Sequence, residues 1–190
     1  STPIKSSAAS DVYKRQMYNS DGSQAEMCGN ATRCVGKYVY DRGLTDKTQI
    51  TLETLAGIKI LDLNVKDGEV QTVRVNMGSP ELVPKNIPID SNLDRFISED
   101  VEVDGKVYKV TGVSMGNPHA VTFIDDTDSL EIEKIGPKFE THKLFPKKIN
   151  TEFAQIVDRN TIKMRVWERG AGETLACGTG ACCLLYTSPS

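Results

Sequence analysis

The chain has 190 residues, of which 38% are hydrophobic and 26% charged, with a formal net charge of −3. That balance describes a globular chain with enough length for one large domain or two small ones, and it excludes disordered and fibrous classes. The slight negative charge offers nothing to nucleic acid or an acidic membrane, and no apolar run approaches the roughly 20 residues of a membrane-spanning helix. No stretch has the basic start, apolar centre and small-residue cleavage site of a secretory signal. Five cysteines, an odd number, argue against a secreted disulfide framework and for a cytoplasmic protein with free thiols.

In chain order, residues 1–16 carry no hydrophobic period and read as a non-native tail before the strand-like Met17-Tyr18. Asn30 to Tyr40 fits a short helix with Ala31, Cys34, Val35 and Tyr38 inward and Gly43 as its stop. Gln49–Thr54 and Ile58–Val65 alternate as strands, and Lys66-Asp67-Gly68 turns into a third from Val70 to Met77. The glycine- and proline-spaced stretch from Gly78 to Pro88 reads as a connection between lobes. Strands follow at Val101–Val103, Val107–Met115 and His119–Ile124, the last entered through the tight turn Gly116-Asn117-Pro118. Leu130 to Phe145 predicts a helix interrupted at Gly136-Pro137. A hairpin spans Phe153–Val157 and Thr161–Trp167, then a loop leads to Cys177 and a second cysteine-led helix. Residues 184–190 read as another non-native tail. The pattern is an α+β arrangement of antiparallel sheet with few helices.

One internal echo organises the rest. Cys28-Gly29 with Cys34 six residues on is mirrored by Cys177-Gly178 with Cys183 six residues on, each where a loop enters a helix. Two related halves, each contributing one such cysteine, follow from it. A six-residue spacing is wrong for a structural zinc site, and His119 and His142 stand far apart, so no metal is expected. Cys34, Cys182 and Cys183 fit core packing on inward helix faces. Cys28 and Cys177 are placed differently. At a helix start each feels the positive dipole end, which predicts a pKa lowered from about 8.5 toward neutrality. Glycine after each cysteine allows close approach of a ligand, and the amides of Gly29, Asn30, Gly178 and Thr179 would form anion sites. Two facing sites of this kind could hold one carboxylate between two thiols. One thiolate would take the proton from the adjacent carbon while the other thiol returns one on the opposite face, inverting the centre. The sequence carries no phosphate-loop or dinucleotide motif, so no cofactor is expected.

These residues resemble the diaminopimelate epimerase family. Asn19-Ser20-Asp21-Gly22-Ser23 with Glu26-Met27-Cys28-Gly29-Asn30 is similar to its first cysteine motif, and the run from Val166 to Cys182 to its second. Gly116-Asn117-Pro118-His119-Ala120-Val121 and Ile149-Asn150-Thr151-Glu152-Phe153 fit its intermediate motifs, so the resemblance spans about residues 17–183. It implies two pseudo-symmetric, barrel-like lobes, each a sheet wrapped around a central helix, over residues 17–80 (a partial N-terminal lobe) and 81–183. It further implies interconversion of LL- and meso-diaminopimelate without cofactor or metal, with a homodimer as the assembly. By the same resemblance Cys28 and Cys177 are the acid–base pair. His119 and Glu168 assist the thiols or orient substrate, and Glu168 is also placed to receive its ammonium. Asn19, Asn117, Asn150 and Arg169 hold the distal end, where a guanidinium fork suits a carboxylate. A buried structural histidine, a salt-bridged glutamate and turn asparagines are the plain alternatives. His142 matches nothing and reads as a surface residue.

The family's opening strand with its Gly-Asn-Asp-Phe loop, and the strands beyond its second cysteine helix, have no counterpart here. Exposed sheet edges and an incomplete core are expected, and with them a chain that folds poorly or is inactive. A proline or hydroxyproline racemase of the same two-thiol design is the nearest rival; such enzymes tend to carry Cys-Gly-His where this chain has Cys28-Gly29-Asn30. A non-catalytic amino-acid binder on the same scaffold and a thiol-redox protein complete the alternatives. The retained cysteine pair weighs against the first, and the absence of Cys-x-x-Cys against the second.

Overall fold

The computed structural model describes residues 12–14, 17–18, 22 and 24–188. Its elements, in chain order, are β1 (Val12–Lys14), β2 (Met17–Tyr18), β3 (Gln24–Ala25) and α1 (Gly29–Asp41), followed by β4 (Gln49–Thr54), β5 (Gly57–Lys66) and β6 (Glu69–Val75). A 3-10 turn at Pro84–Asn86 precedes β7 (Glu99–Val103), β8 (Lys106–Ser114), β9 (Pro118–Phe123), α2 (Ile132–Glu140), β10 (Asn150–Asp158), β11 (Thr161–Glu168), β12 (Gly172–Thr174) and α3 (Gly178–Thr187).

The first sheet has the order β1-β4-β5-β6. Period-2 alternation decides its inner face: Ile50, Leu52 and Thr54 on β4 and Lys59, Leu61 and Leu63 on β5 are buried. Helix α1 lies on that face through its small residues. An added Cβ on Gly36 would stand 3.0 Å from Leu61 and 3.1 Å from Leu63, so the helix sits close against the sheet. This close packing sets which positions turn inward. Gly29, Thr32, Gly36 and Val39 are buried, whereas Cys34 and Tyr38, expected inside, are exposed.

The second sheet, β12-β11-β10-β9-β8-β7, forms the middle of three layers. One face packs on α2 through Val101, Val110, Phe153 and the edge-to-face ring pair Phe139–Phe153. The other face packs on α3 through Val113, Val121, Ala154, Cys183 and Leu184. Burial on both faces explains why β9 and the first half of β10 are covered residue after residue instead of alternating. Strands β9 and β10 are parallel, Asn150 facing His119, because α2 carries the chain back across the sheet between them. β1 also pairs in parallel, with β4. The sheets are therefore mixed, not purely antiparallel.

Two further differences have local causes. Helix α2 continues through Pro137, because Gly136 before it has no Cβ to meet the proline ring. Gly136 is also held to that size by the indole, since a Cβ there would lie 2.3 Å from Trp167 Cδ2. The segment read as a loop after Glu168 contains β12, which is three residues long and pairs with β11. Among the described residues no helix is long and apolar enough to cross a membrane.

Candidate active site

Cys28 and Cys177 occupy equivalent places. Each is the N-cap of its helix in extended conformation, at φ −137°, ψ 109° for Cys28 and φ −118°, ψ 107° for Cys177. The first helical bonds match as well: Thr32 N donates to Cys28 O at 3.0 Å and Ala181 N to Cys177 O at 2.9 Å. The two helices meet at these ends, with Gly29 against Gly178. Their first residues, Gly29 and Asn30 on α1 and Gly178 and Thr179 on α3, line one cleft. All five cysteines are free thiols.

The cleft is lined by Glu26, Met27, Cys28, Gly29, Asn30, Asn117, Asn150, Glu168, Arg169, Ala176, Cys177, Gly178 and Thr179. Every sequence-expected site residue among the described ones is here except His119, which lies directly beneath; Asn19 falls outside the described residues. Residues far apart in sequence meet because β9, β10 and β11 are adjacent and α3 crosses them. Asn30 ties the start of α1 to the approach to α3, its Nδ2 donating to Ala176 O at 3.0 Å while its Oδ1 accepts from Arg33. Asn150 is 4% exposed and has its amide engaged in the frame. Its Nδ2 donates to Pro118 O at 2.8 Å and its Oδ1 accepts from Arg169 N at 2.8 Å. The Arg169 guanidinium pairs with the Glu26 carboxylate and reaches Lys147 O at 3.3 Å. Glu168 accepts from Thr174 Oγ1. His142 stands elsewhere, half-buried, with Nε2 3.1 Å from Glu102 O.

Beneath Cys177 lies a buried polar cluster. His119 and Glu152 are both 0% exposed, and His119 Nδ1 stands 2.7 Å from Glu152 Oε1. His119 Nε2 is 3.0 Å from Asn117 Oδ1 and 3.1 Å from Thr179 Oγ1. Thr179 Oγ1 is in turn 3.4 Å from Cys177 Sγ, which also accepts from Gly180 N at 3.4 Å. His119, Glu152 and Cys177 offer ligand-type atoms within 4.8 Å of one another, but the first two are already hydrogen-bond partners. Glu152 and Glu26 were not singled out from sequence. Glu152 occupies one position in a strand of buried residues, and only the fold brings it to a thiol.

The thiol itself corrects one expectation. Burial pushes Cys177 up to about 12, helped by the nearby Glu152 and Glu168 carboxylates, while the Thr179 and Gly180 hydrogen bonds pull it down only in part. The helix start therefore does not bring this thiol toward neutrality, because burial and the two carboxylates outweigh the hydrogen bonds offered there. Cys177 stands as a protonated thiol, suited to donating.

Solved structures share the fold. A probable proline racemase from Agrobacterium radiobacter superimposes with a TM-score of 0.68 at 16% identity, covering 98% of this chain and 60% of that one. A PhzF-family phenazine biosynthesis protein from Bacillus anthracis gives 0.55 at 20% identity, with coverages of 93% and 60%. Sequence narrows this to one family. The family model described as diaminopimelate epimerase matches residues 4–83 and 111–188. The chain belongs to the diaminopimelate epimerase family. A diaminopimelate epimerase of Acetivibrio thermocellus is 63% identical over 176 residues, covering 93% of this chain and 63% of that protein. One from Methanococcus maripaludis is 57% identical over 181 residues, with coverages of 94% and 65%. The chain thus spans just under two thirds of the length of these curated relatives.

Proposed function

We propose that this chain carries the catalytic cleft of a cofactor-independent epimerase that interconverts LL- and meso-diaminopimelate. The observation that carries the proposal is the pair of cysteine N-caps facing one cleft from two helix starts in near contact. In this reading the substrate α-carboxylate sits on the amides of Gly29, Asn30, Gly178 and Thr179, where the two dipoles favour an anion. That places the α-carbon between the two sulfurs. The thiolate on one side removes the α-proton, and the thiol on the other delivers its own to the opposite face. One proton leaves the carbon and one arrives, so the product is the epimer and the thiol and thiolate exchange places.

His119 supports Cys177 through Thr179, and Glu168 is placed for the substrate ammonium. Arg169 takes the distal carboxylate in a forked contact, displacing Glu26, with Asn117 and Asn19 completing that end. Asn150 acts by fixing the Arg169 backbone. The chain divides into lobes at 17–80 and 81–183, the cleft lying between them. A diaminopimelate ligand, a homodimer and a cytoplasmic setting belong to the same reading.

The test is α-deuteration of diaminopimelate in D2O, with proline as the control substrate. Uptake with diaminopimelate alone, abolished in Cys28→Ala and in Cys177→Ala, is the expected result. Full uptake in both variants would sink the two-thiol assignment, and uptake with proline alone would move the chain to the rival racemase class.

A further inference from the structure

We infer that Glu152 is a positioning residue that sets the direction of the hydrogen bonds beneath Cys177, by holding His119 as an imidazolium. The inference rests on the reading of Cys177 as a proton-transfer thiol.

Both ring nitrogens of His119 face oxygen. Nδ1 meets the Glu152 carboxylate at 2.7 Å, and Nε2 meets the Asn117 side-chain carbonyl at 3.0 Å. An imidazole that faces acceptors on both sides satisfies them only when both nitrogens carry protons. Asn117 presents its carbonyl to the ring because its amide nitrogen is engaged, Nδ2 donating to Thr179 Oγ1 at 3.2 Å. Burial requires a counter-charge for a cation with no access to water, and Glu152 supplies it. The ion pair leaves the cluster without net charge; a bare carboxylate beside a neutral ring would not.

The consequence falls on one hydroxyl. Thr179 Oγ1 has one proton and lies 3.1 Å from His119 Nε2 and 3.4 Å from Cys177 Sγ. If Nε2 lacked its proton, the Thr179 hydroxyl would donate to the ring and be lost to the sulfur. With the Nε2 proton directed at Asn117 Oδ1, the ring no longer accepts from Thr179; Asn117 Nδ2 donates to the hydroxyl oxygen, and the Thr179 proton turns to Cys177. The sulfur then has two donors, Thr179 Oγ–H and Gly180 N–H, ready for the charge it gains when its proton leaves. The other titratable groups facing Cys177 are Glu168 from β11 and Cys183 on α3. Cys183 is itself raised in part by Glu152. Gly180 makes room for the arrangement, since a Cβ there would lie 2.3 Å from Glu152 Oε1.

The test uses no turnover, so its failure is distinct from failure of the epimerase reading. Cys177 in the full chain is alkylated with iodoacetamide across pH 7–10 and followed by peptide mass spectrometry, with Cys28 as the internal reference. Glu152→Gln is expected to slow Cys177 about tenfold at each fixed pH in that window, as a one-unit rise would, leaving Cys28 unchanged. An unchanged or faster Cys177 in that variant overturns the inference, because removing a bare carboxylate would favour the thiolate. Nitrogen-15 NMR of His119 in the unsubstituted protein is the second measurement, independent of whether the variant folds. Two protonated-type ring nitrogens at neutral pH support the inference, and one unprotonated nitrogen overturns it.

Discussion

Gly29 and Gly178 meet backbone to backbone: a Cβ built on either would stand 3.5 Å from the Cα of the other. The near-contact brings together the start of α1, which packs on the first sheet, and the start of α3, which packs on the second, each capped by a cysteine. Asn30 reaches Ala176 and Arg169 reaches Glu26 across the same place, and a Cβ on Gly116, at φ 109°, would lie 2.5 Å from that of Ala56. Two small residues let the helix starts approach, and these polar contacts fasten them.

Because 3.5 Å is ordinary contact, Gly29→Ala is expected to fold with stability within about 1 kcal/mol of the parent, the helix-propensity gain offsetting the crowding. Gly29→Leu adds atoms with nowhere to go except the Gly178 backbone. It is expected to lose at least about tenfold in α-deuteration, equivalent to about 1.4 kcal/mol, with helix content by circular dichroism retained. Equal deuteration by the Leu variant would show that the spacing of the helix starts does not matter.

Arg169 places Nη2 on the Glu26 carboxylate and Nη1 on Lys147 O. A lysine ammonium keeps the charge but cannot present two parallel donors to a carboxylate. Arg169→Lys is expected to raise KM for diaminopimelate about tenfold or more while changing kcat less, since the contact is made to a part of the substrate that does not react. Steady-state kinetics separate the two; a kcat loss with KM unchanged would remove Arg169 from the binding role.

Gly136 faces the indole so closely that a methyl would fall 2.3 Å from Trp167 Cδ2. The chain has one tryptophan, so its fluorescence reports this contact directly. Gly136→Ala is expected to destabilise by about 1–3 kcal/mol through overpacking, despite the better helix propensity of alanine. Urea unfolding followed at Trp167 measures it, and a stabilised variant would show that α2 can shift freely.

Much of this was legible in the chain because period and punctuation are local. The strands from Gln49 to Val75 announced themselves by alternation and by the Asp67-Gly68 turn, and both cysteine helices by Cys-Gly at their starts. What sequence could not show depended on which neighbour a side chain would meet. Cys34 obeyed the helical period but faces outward, because Gly36 and Thr32 bring the helix in on a different stripe. The parallel pairing of β9 with β10 follows from the return path of α2, which no local pattern encodes. Cys177 looked activated when only the helix start was in view. Its desolvation and its two carboxylate neighbours appear only when β10 and β11 are in place. Glu152 was hidden for the same reason.

Glu140 gives the fold a pH dependence with a defined sign. It is 7% exposed at the end of α2, and burial alone would raise its carboxyl. Hydrogen bonds from Trp167 Nε1 at 2.8 Å, Lys148 Nζ at 3.0 Å and Gly170 N at 3.3 Å outweigh burial and hold it below the ordinary value of 4.5. A carboxyl lowered in the folded state contributes stability that is fully present above its unfolded pKa and is lost as pH falls through the folded one. The urea midpoint read at Trp167 is therefore expected to be insensitive to Glu140 ionisation from pH 7 down to about 5, then to fall as the carboxylate takes up its proton. Glu140→Gln is expected to cost about 1–3 kcal/mol at neutral pH, the range for charge-assisted hydrogen bonds, and to flatten the acid limb. Because Gly170 and Trp167 flank Arg169, the same variant also loosens the loop that presents the guanidinium. An acid limb as steep in Glu140→Gln as in the parent would assign the pH dependence to other carboxylates.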